Sequence, residues 1–194
     1  MELVLCTRNP GKVAELAALL PASYRVLGPE EVGVSGELPE TGDTLEANAV
    51  QKARWVHHRC GLPCIADDTG LEVDALDGAP GVHSARYAGA DRDAQANMHK
   101  LLQALEGRTD RSARFRTVIA LVADGGERLF HGAVEGCILT APRGTGGFGY
   151  DPVFAPAGEA RSFAEMTAAE KNRISHRARA TAALLEHLRG ATAG

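Results

Sequence analysis

Two adjacent carboxylates, Asp67 and Asp68, follow a short apolar run, Cys64-Ile65-Ala66. Neighbouring side chains on an extended chain point to opposite faces, so the two acids have different surroundings and different tasks. Carboxylates at the end of an apolar strand are costly to leave unpartnered, which marks this pair as functional. Glu37, Glu40 and Asp43 stand together in a polar loop upstream. Carboxylates converging from separate segments suit a hard cation such as Mg2+, above all where phosphate oxygens complete its shell. Glu37 and Asp43 read as solvated loop acids.

Three further segments carry chemistry. Thr7-Arg8-Asn9-Pro10-Gly11-Lys12 joins an apolar strand to a helix. Phosphates bind at such junctions, where free backbone N–H groups, the positive end of the helix dipole and a lysine meet their charge. A plain strand–helix turn with a solvated Lys12 is the equal alternative. The segment is not a Walker A loop, which needs glycine at position 6 and Ser or Thr at position 13. In Gly144-Thr145-Gly146-Gly147-Phe148-Gly149-Tyr150-Asp151-Pro152 the glycines admit close approach of a ligand, Phe148 can stack on a base and Asp151 can accept a ring N–H. A long turn with Phe148 plugging the core would read the same way. Lys171-Asn172-Arg173-Ile174-Ser175-His176-Arg177-Ala178-Arg179 holds no acid. With Ser175 as N-cap, His176 and Arg177 fall in a first helical turn, where cationic charge opposes the dipole. A local rule broken in this way points to a site. The chain has 17 arginines but four lysines, Lys12, Lys52, Lys100 and Lys171. Two of these lie in the segments above, and Lys52 shares a helix face with Asn48.

The elements that must position these residues follow from pattern. Residues 2–6 predict a buried strand. Pro10 opens a helix that Pro21 ends. Residues 24–27 predict a strand and 28–43 a loop. Thr44 caps a helix to about His58, and residues 63–67 form a strand ending at the acidic pair. A helix over 91–106 follows. Strands at 114–123 and 127–139 flank Asp124-Gly125-Gly126 as a hairpin. Ser162 with Glu165 and Thr167 with Glu170 resemble capping boxes, and a last helix covers 175–188. The expected fold is α/β: a mixed twisted sheet flanked by helices, with residues 1–194 forming a single domain.

Composition excludes several classes. At 194 residues, 44% hydrophobic and 24% charged, the chain reads as globular. A formal charge of −4 argues against nucleic-acid and membrane-surface binding, both of which need a basic footprint. No apolar run spans a bilayer, and the N-terminus reads as strand, not leader. Cysteines at 6, 60, 64 and 137 read as free thiols of a reducing cytosol. His57, His58, Cys60 and Cys64 fit no standard zinc spacing and read as a helix end running into a strand.

Together these motifs resemble the Ham1-like family of inosine triphosphate pyrophosphatases, or XTP/dITP diphosphatases. The likeness runs from TRNPGK at 7–12 through ETG at 40–42, EAN at 46–48, KA at 52–53, ADDTGL at 66–71, GAPGVHSARYAG at 78–89 and GTGGFGYDP at 144–152 to SHR at 175–177. Cys6, Arg8, Thr69 and the EAN order depart slightly from the family pattern. The resemblance implies Mg2+-dependent hydrolysis of a non-canonical purine nucleoside triphosphate (ITP, dITP or XTP) to monophosphate and pyrophosphate, with Mn2+ as the substitute ion. It implies an elongated, two-lobed fold with the active site in the cleft, a homodimer and a cytoplasmic setting. It assigns Thr7, Arg8, Asn9, Pro10, Gly11 and Lys12 to the phosphates and Glu40 and Asp68 to the metal, with Asp68 also the proton acceptor. Thr69, Phe148, Gly149, Tyr150, Asp151, Lys171, His176 and Arg177 match substrate-binding positions, with Lys52 and Asp67 as a further phosphate or metal shell. Two alternatives stay open: a nucleotide sensor without catalysis, and a Maf-type pyrophosphatase for modified pyrimidines or 7-methylated guanine, which would need neither FGYD nor SHR.

Overall fold

The computed structural model describes residues 2–191. Seven strands form one mixed sheet: β1 Glu2–Leu5, β2 Arg25–Leu27, β3 Cys64–Val73, β4 Pro80–Gly81, β5 Ser112–Ala123, β6 Gly126–Ile138 and β7 Phe154–Pro156. Their order is β2-β1-β3-β5-β6-β7, with β4 beside β3. β1 runs parallel to β2 and β3, whereas the β3–β4 and β6–β7 pairs are antiparallel. Five helices accompany the sheet: α1 Pro10–Leu19, α2 Leu45–Cys60, α3 Ala94–Ala104, α4 Ala168–Ile174 and α5 His176–Ala191. The mixed α/β architecture is the one expected. Among the described residues, no helix is long and apolar enough to cross a membrane.

Contacts divide the chain into two compact units. The first takes the chain up to Asp68, Thr117–Gly132 and the stretch from Arg177. The second takes Thr69–Arg116 and Ala133–His176. Each has its own core. Leu3, Leu5 and Leu16 pack with Ile65, Ile119 and Leu184 in the first. Leu71, Leu101, Phe115, Phe154 and Phe163 anchor the second. Phe115 meets Phe154 edge-on with ring centroids 4.7 Å apart, a favoured aromatic geometry.

The helix starts follow from capping. The Asn9 side chain accepts from Gly11 N–H and Lys12 N–H ahead of Pro10. Thr44 accepts from Ala47 N–H, and Asp93 from Gln95 and Ala96. Both expected capping boxes form, Ser162 with Glu165 and Thr167 with Glu170. These side chains satisfy N–H groups that have no partner within their own helix.

One element departs from expectation. The strand expected to stop at the acidic pair continues through Asp67-Asp68-Thr69-Gly70 to Val73, ten residues in all. Leu71 and Val73 beyond it are fully buried, and Leu71 pairs with Gly81 of β4. The run reads as a loop because it is polar. It stays a strand because both carboxylates are paired inside the protein.

Candidate functional site

Asp67 and Asp68 do face opposite ways, and each meets its own set of partners. Asp68 is held from one face of α2. Lys52 Nζ donates to Asp68 Oδ1 at 2.9 Å, and Asn48 Nδ2 donates to Asp68 Oδ2 at 3.3 Å. Asn48 and Lys52 are four residues apart, the spacing that stacks side chains on a helix surface. Lys52 Nζ also donates to Glu40 Oε1 at 2.8 Å and to the Asp67 carbonyl at 2.9 Å. Burial alone would lower the Lys52 ammonium, but Asp68, Glu40 and Asp67 outweigh it and hold it above the usual lysine value.

Asp67 lies at the centre of a second cluster. Register places it there: Leu5 of β1 pairs with Ile65 of β3, and the chain after β1 turns into α1. Lys12 Nζ reaches Asp67 Oδ2 at 3.1 Å. Arg177, in the first turn of α5, reaches the same oxygen through Nη2 at 3.1 Å and Nε at 3.2 Å, and its Nη1 pairs with Glu15 of α1. Asp67 and Arg177 are each only 1% exposed. Burial alone would raise the Asp67 carboxyl, yet Lys12, Arg177 and Lys52 hold it well below the usual carboxylate range. Burial pushes the Lys12 ammonium down, and the attraction of Asp67 does not fully restore it. A desolvated, partly accessible ammonium of this kind binds a phosphate oxygen more strongly than one in water.

The α1 N-terminus differs from the expected phosphate cradle. Gly11 N–H and Lys12 N–H are already taken by Asn9 Oδ1, at 2.9 and 3.2 Å. Asn9 N–H in turn donates to Thr7 Oγ1 at 3.2 Å. Arg8 is half exposed, 3.7 Å from the exposed Glu30. Within residues 7–12, Lys12 is the residue bonded to the carboxylate cluster. Glu37 and Asp43 are exposed, as expected of solvated acids.

The second unit gathers the aromatic and glycine-rich set. Lys171 Nζ donates to Asp151 Oδ2 at 2.5 Å, and Phe148 N–H donates to the same oxygen at 2.8 Å. Lys171 Nζ sits 4.9 Å from the centre of the Phe148 ring, a cation–π distance. Two of the loop glycines approach the protein's own atoms. Gly147 has φ +68°, and a Cβ there would overlap Asp151 Oδ2. Gly144 has φ +80°, and a Cβ there would overlap the Ala164 carbonyl. Gly149, at φ +62°, has open space where its Cβ would be. Phe148 is half-buried and Tyr150 buried, with the Tyr150 hydroxyl donating to the Ser84 carbonyl at 2.9 Å. His176 is buried, its ring stacked on Phe115 with centroids 4.6 Å apart. Thr69 is half-buried in β3 beside Asp68.

Glu15 and Gln51 escaped the sequence reading. Glu15 stands three residues after Lys12 on α1, a spacing that places both on one side of the helix and was the available signal. Gln51 bonds Thr41 and carries no local signal.

In the linked cluster three formal cations, Lys12, Lys52 and Arg177, stand against four carboxylates, Glu15, Glu40, Asp67 and Asp68. The surplus acid and the all-oxygen donors of Glu40 and Asp68 fit a hard divalent cation. Among the described residues, no cluster of three or more His, Cys, Asp or Glu is arranged to hold a metal alone.

The Ham1 family profile matches residues 3–187. A dITP/XTP pyrophosphatase of Porphyromonas gingivalis is 54% identical over 188 residues, covering 96% of this chain and 97% of the relative. The Staphylococcus aureus Ham1 protein superposes with a TM-score of 0.90 at 38% identity, covering 98% of this chain and 99% of that one. A HAM1 protein from Coxiella burnetii gives 0.90 at 42%, with the same coverage. Matches of this extent span both units, and the chain belongs to the Ham1 family.

Proposed function

We propose that this chain hydrolyses dITP, XTP and ITP to the nucleoside monophosphate and pyrophosphate, clearing deaminated purines from the nucleotide pool. The observation that carries the reading is the single ammonium of Lys52 bonded to both Glu40 and Asp68, with Asn48 fixing the other oxygen of Asp68. It supports a pair of carboxylates set in advance for a cation and a water.

Glu40 and Asp68 would hold Mg2+, or Mn2+ in its place. When bound, the ion supplies Lewis-acid polarisation of a phosphoryl oxygen and offsets the charge of the triphosphate. Lys12 donates to a phosphate oxygen, exchanging part of its bond to Asp67 for the stronger charge. Asp67 and Arg177 hold Lys12 in place and compensate each other's burial. Asp68 takes the proton of the attacking water at Oδ2, the oxygen held by the longer bond from Asn48.

The base falls to the second unit's set. Phe148 stacks on the purine, and Lys171 donates to O6, held on line by Asp151. Adenine presents an amino donor where inosine and xanthine present O6, so Lys171 would meet donor with donor. Buried polar mismatches of this type reject a wrong substrate by about 10⁴-fold. The hydrogen bonds of Arg177 to Asp67 and Glu15 support a phosphate-side role for it, not a base-side one. The family likeness supports a homodimer working in the cytoplasm on a small-molecule substrate.

The test is product identity and metal dependence. Mg2+-loaded protein should convert dITP to dIMP and pyrophosphate, with activity abolished by EDTA and restored by Mg2+ or Mn2+. Orthophosphate as the first product, or full activity after EDTA, would overturn the reading.

A further inference from the structure

The segment carrying Glu40 lies flush along α2 and is fastened to it residue by residue. Gly36 lies beside the Trp55 ring, where a Cβ would stand 3.5 Å from the ring's Cη2. Lys52 Nζ holds Glu40 Oε1 at 2.8 Å. Thr41 exchanges two hydrogen bonds with Gln51: Thr41 N–H donates to Gln51 Oε1 at 2.9 Å, and Gln51 Nε2 donates to Thr41 Oγ1 at 2.8 Å. Gly42 N–H donates to Asn48 Oδ1 at 2.7 Å, and a Cβ on Gly42 would stand 2.7 Å from Ala47 Cβ.

Two of these fasteners, Lys52 and Asn48, also bond Asp68. Gln51 bonds neither carboxylate. We propose that Gln51 is a positioning residue for Glu40: through Thr41 it holds the Glu40 carboxylate on the same Lys52 ammonium that bonds Asp68. The inference rests on the reading of Glu40 and Asp68 as metal ligands.

Lys52 cannot do this work alone. Its ammonium is a compact point charge on a flexible stem, and it occupies carboxylate oxygen that an incoming cation also needs. The Gln51–Thr41 clasp is made at two points by a planar amide. It competes for no carboxylate oxygen, so it stays closed when a cation arrives. Ordering Glu40 beforehand removes that cost from the binding step. The clasp therefore acts on metal affinity and leaves the chemical step alone.

The test compares Gln51→Met, of similar length but without hydrogen bonds, with Gln51→Glu. The glutamate can accept from both Thr41 N–H and the Thr41 hydroxyl, so it rebuilds both bonds with one donor reversed. Mn2+ binding to the whole protein without nucleotide is followed by the paramagnetic resonance of the free ion. The Mg2+ concentration for half-maximal pyrophosphate release is measured alongside, with Glu40→Gln as reference. Gln51→Met should weaken Mn2+ binding and raise the half-activating Mg2+ about three- to tenfold, the range for losing one or two exposed hydrogen bonds. Its kcat at saturating Mg2+ should stay within about twofold and its Tm within about 3 °C of wild type. Gln51→Glu should restore both metal readouts. Unchanged Mn2+ binding in Gln51→Met, or a loss of its kcat beyond about twofold at saturating Mg2+, would overturn the proposal. Wild-type Mn2+ binding in Glu40→Gln would overturn the ligand reading itself and the role of Gln51 with it.

Discussion

Lys52 Nζ and Asp68 Oδ1 stand 2.9 Å apart with both side chains largely withdrawn from water. The pair holds the Asp68 carboxylate in one orientation, which a proton acceptor needs before its substrate arrives. Asp68→Asn keeps the shape and the Asn48 contact but cannot take a proton. Its kcat should fall by about 10²-fold or more, with the fold intact and nucleotide still bound. Steady-state kinetics at saturating Mg2+ decide the matter; near-wild-type turnover would remove Asp68 from the chemistry.

Arg177 is a stability prediction as well as a functional one. Its guanidinium satisfies two buried or half-buried carboxylates, Asp67 and Glu15. Removing one partner of a buried pair costs about 3–5 kcal/mol, because the remaining charge is left in a poor solvent. Arg177→Met should lose stability on that scale in urea unfolding. Arg177→Lys should recover only part of it, since an ammonium cannot span Asp67 and Glu15 with a planar fork. Full recovery by lysine would show that charge alone, not geometry, holds Asp67.

Asp151 organises its neighbours. Its Oδ2 takes both Lys171 Nζ and Phe148 N–H, and the loop needs glycine at 147 to let the carboxylate in. Asp151→Asn retains an acceptor for Phe148 but removes the counter-charge of Lys171. KM should rise about tenfold for dITP, ITP and XTP together, with a smaller change in kcat. Phe148→Ala should behave alike, through lost stacking. A change confined to one of the three substrates would contradict a shared base platform.

The Thr167–Glu170 capping box gives an acid-dependent prediction. The Thr167 N–H, then Arg161 and the Thr167 hydroxyl, hold the Glu170 carboxyl at about 2, below its ordinary 4.5. The folded state thus binds this proton less readily than the unfolded one. The stabilisation is complete above about 4.5 and lost as pH falls towards about 2. Glu170 is half-buried at the surface, within reach of solvent screening, so the effect is small. Glu170→Gln should melt slightly below wild type near neutral pH, and the gap should close on acidification through that window. A gap that widens in acid would contradict the sign.

Much of this was legible in the sequence because the signals were local. Pro10, Thr44, and the Ser162 and Thr167 boxes announced helix starts through backbone chemistry that needs no distant partner. The alternation argument separated Asp67 from Asp68 correctly. Where the outcome depended on residues far apart in sequence, the reading stopped short. β3 looked finished at Asp67 because nothing nearby showed that Arg177, 110 residues on, would neutralise it. Gly144 and Gly147 announced close approach but not what approaches, which is Ala164 and Asp151. Gln51 looked like any polar helix residue until Thr41 was placed beside it.

The central claim is tested most directly by comparing kcat/KM for pyrophosphate release from dITP, XTP and dATP in one Mg2+-containing assay. The account predicts pyrophosphate from dITP and XTP with efficiency about 10⁴-fold above dATP, the order expected where a buried donor meets O6 in one base and an amino group in the other. Equal efficiency on dATP would contradict it.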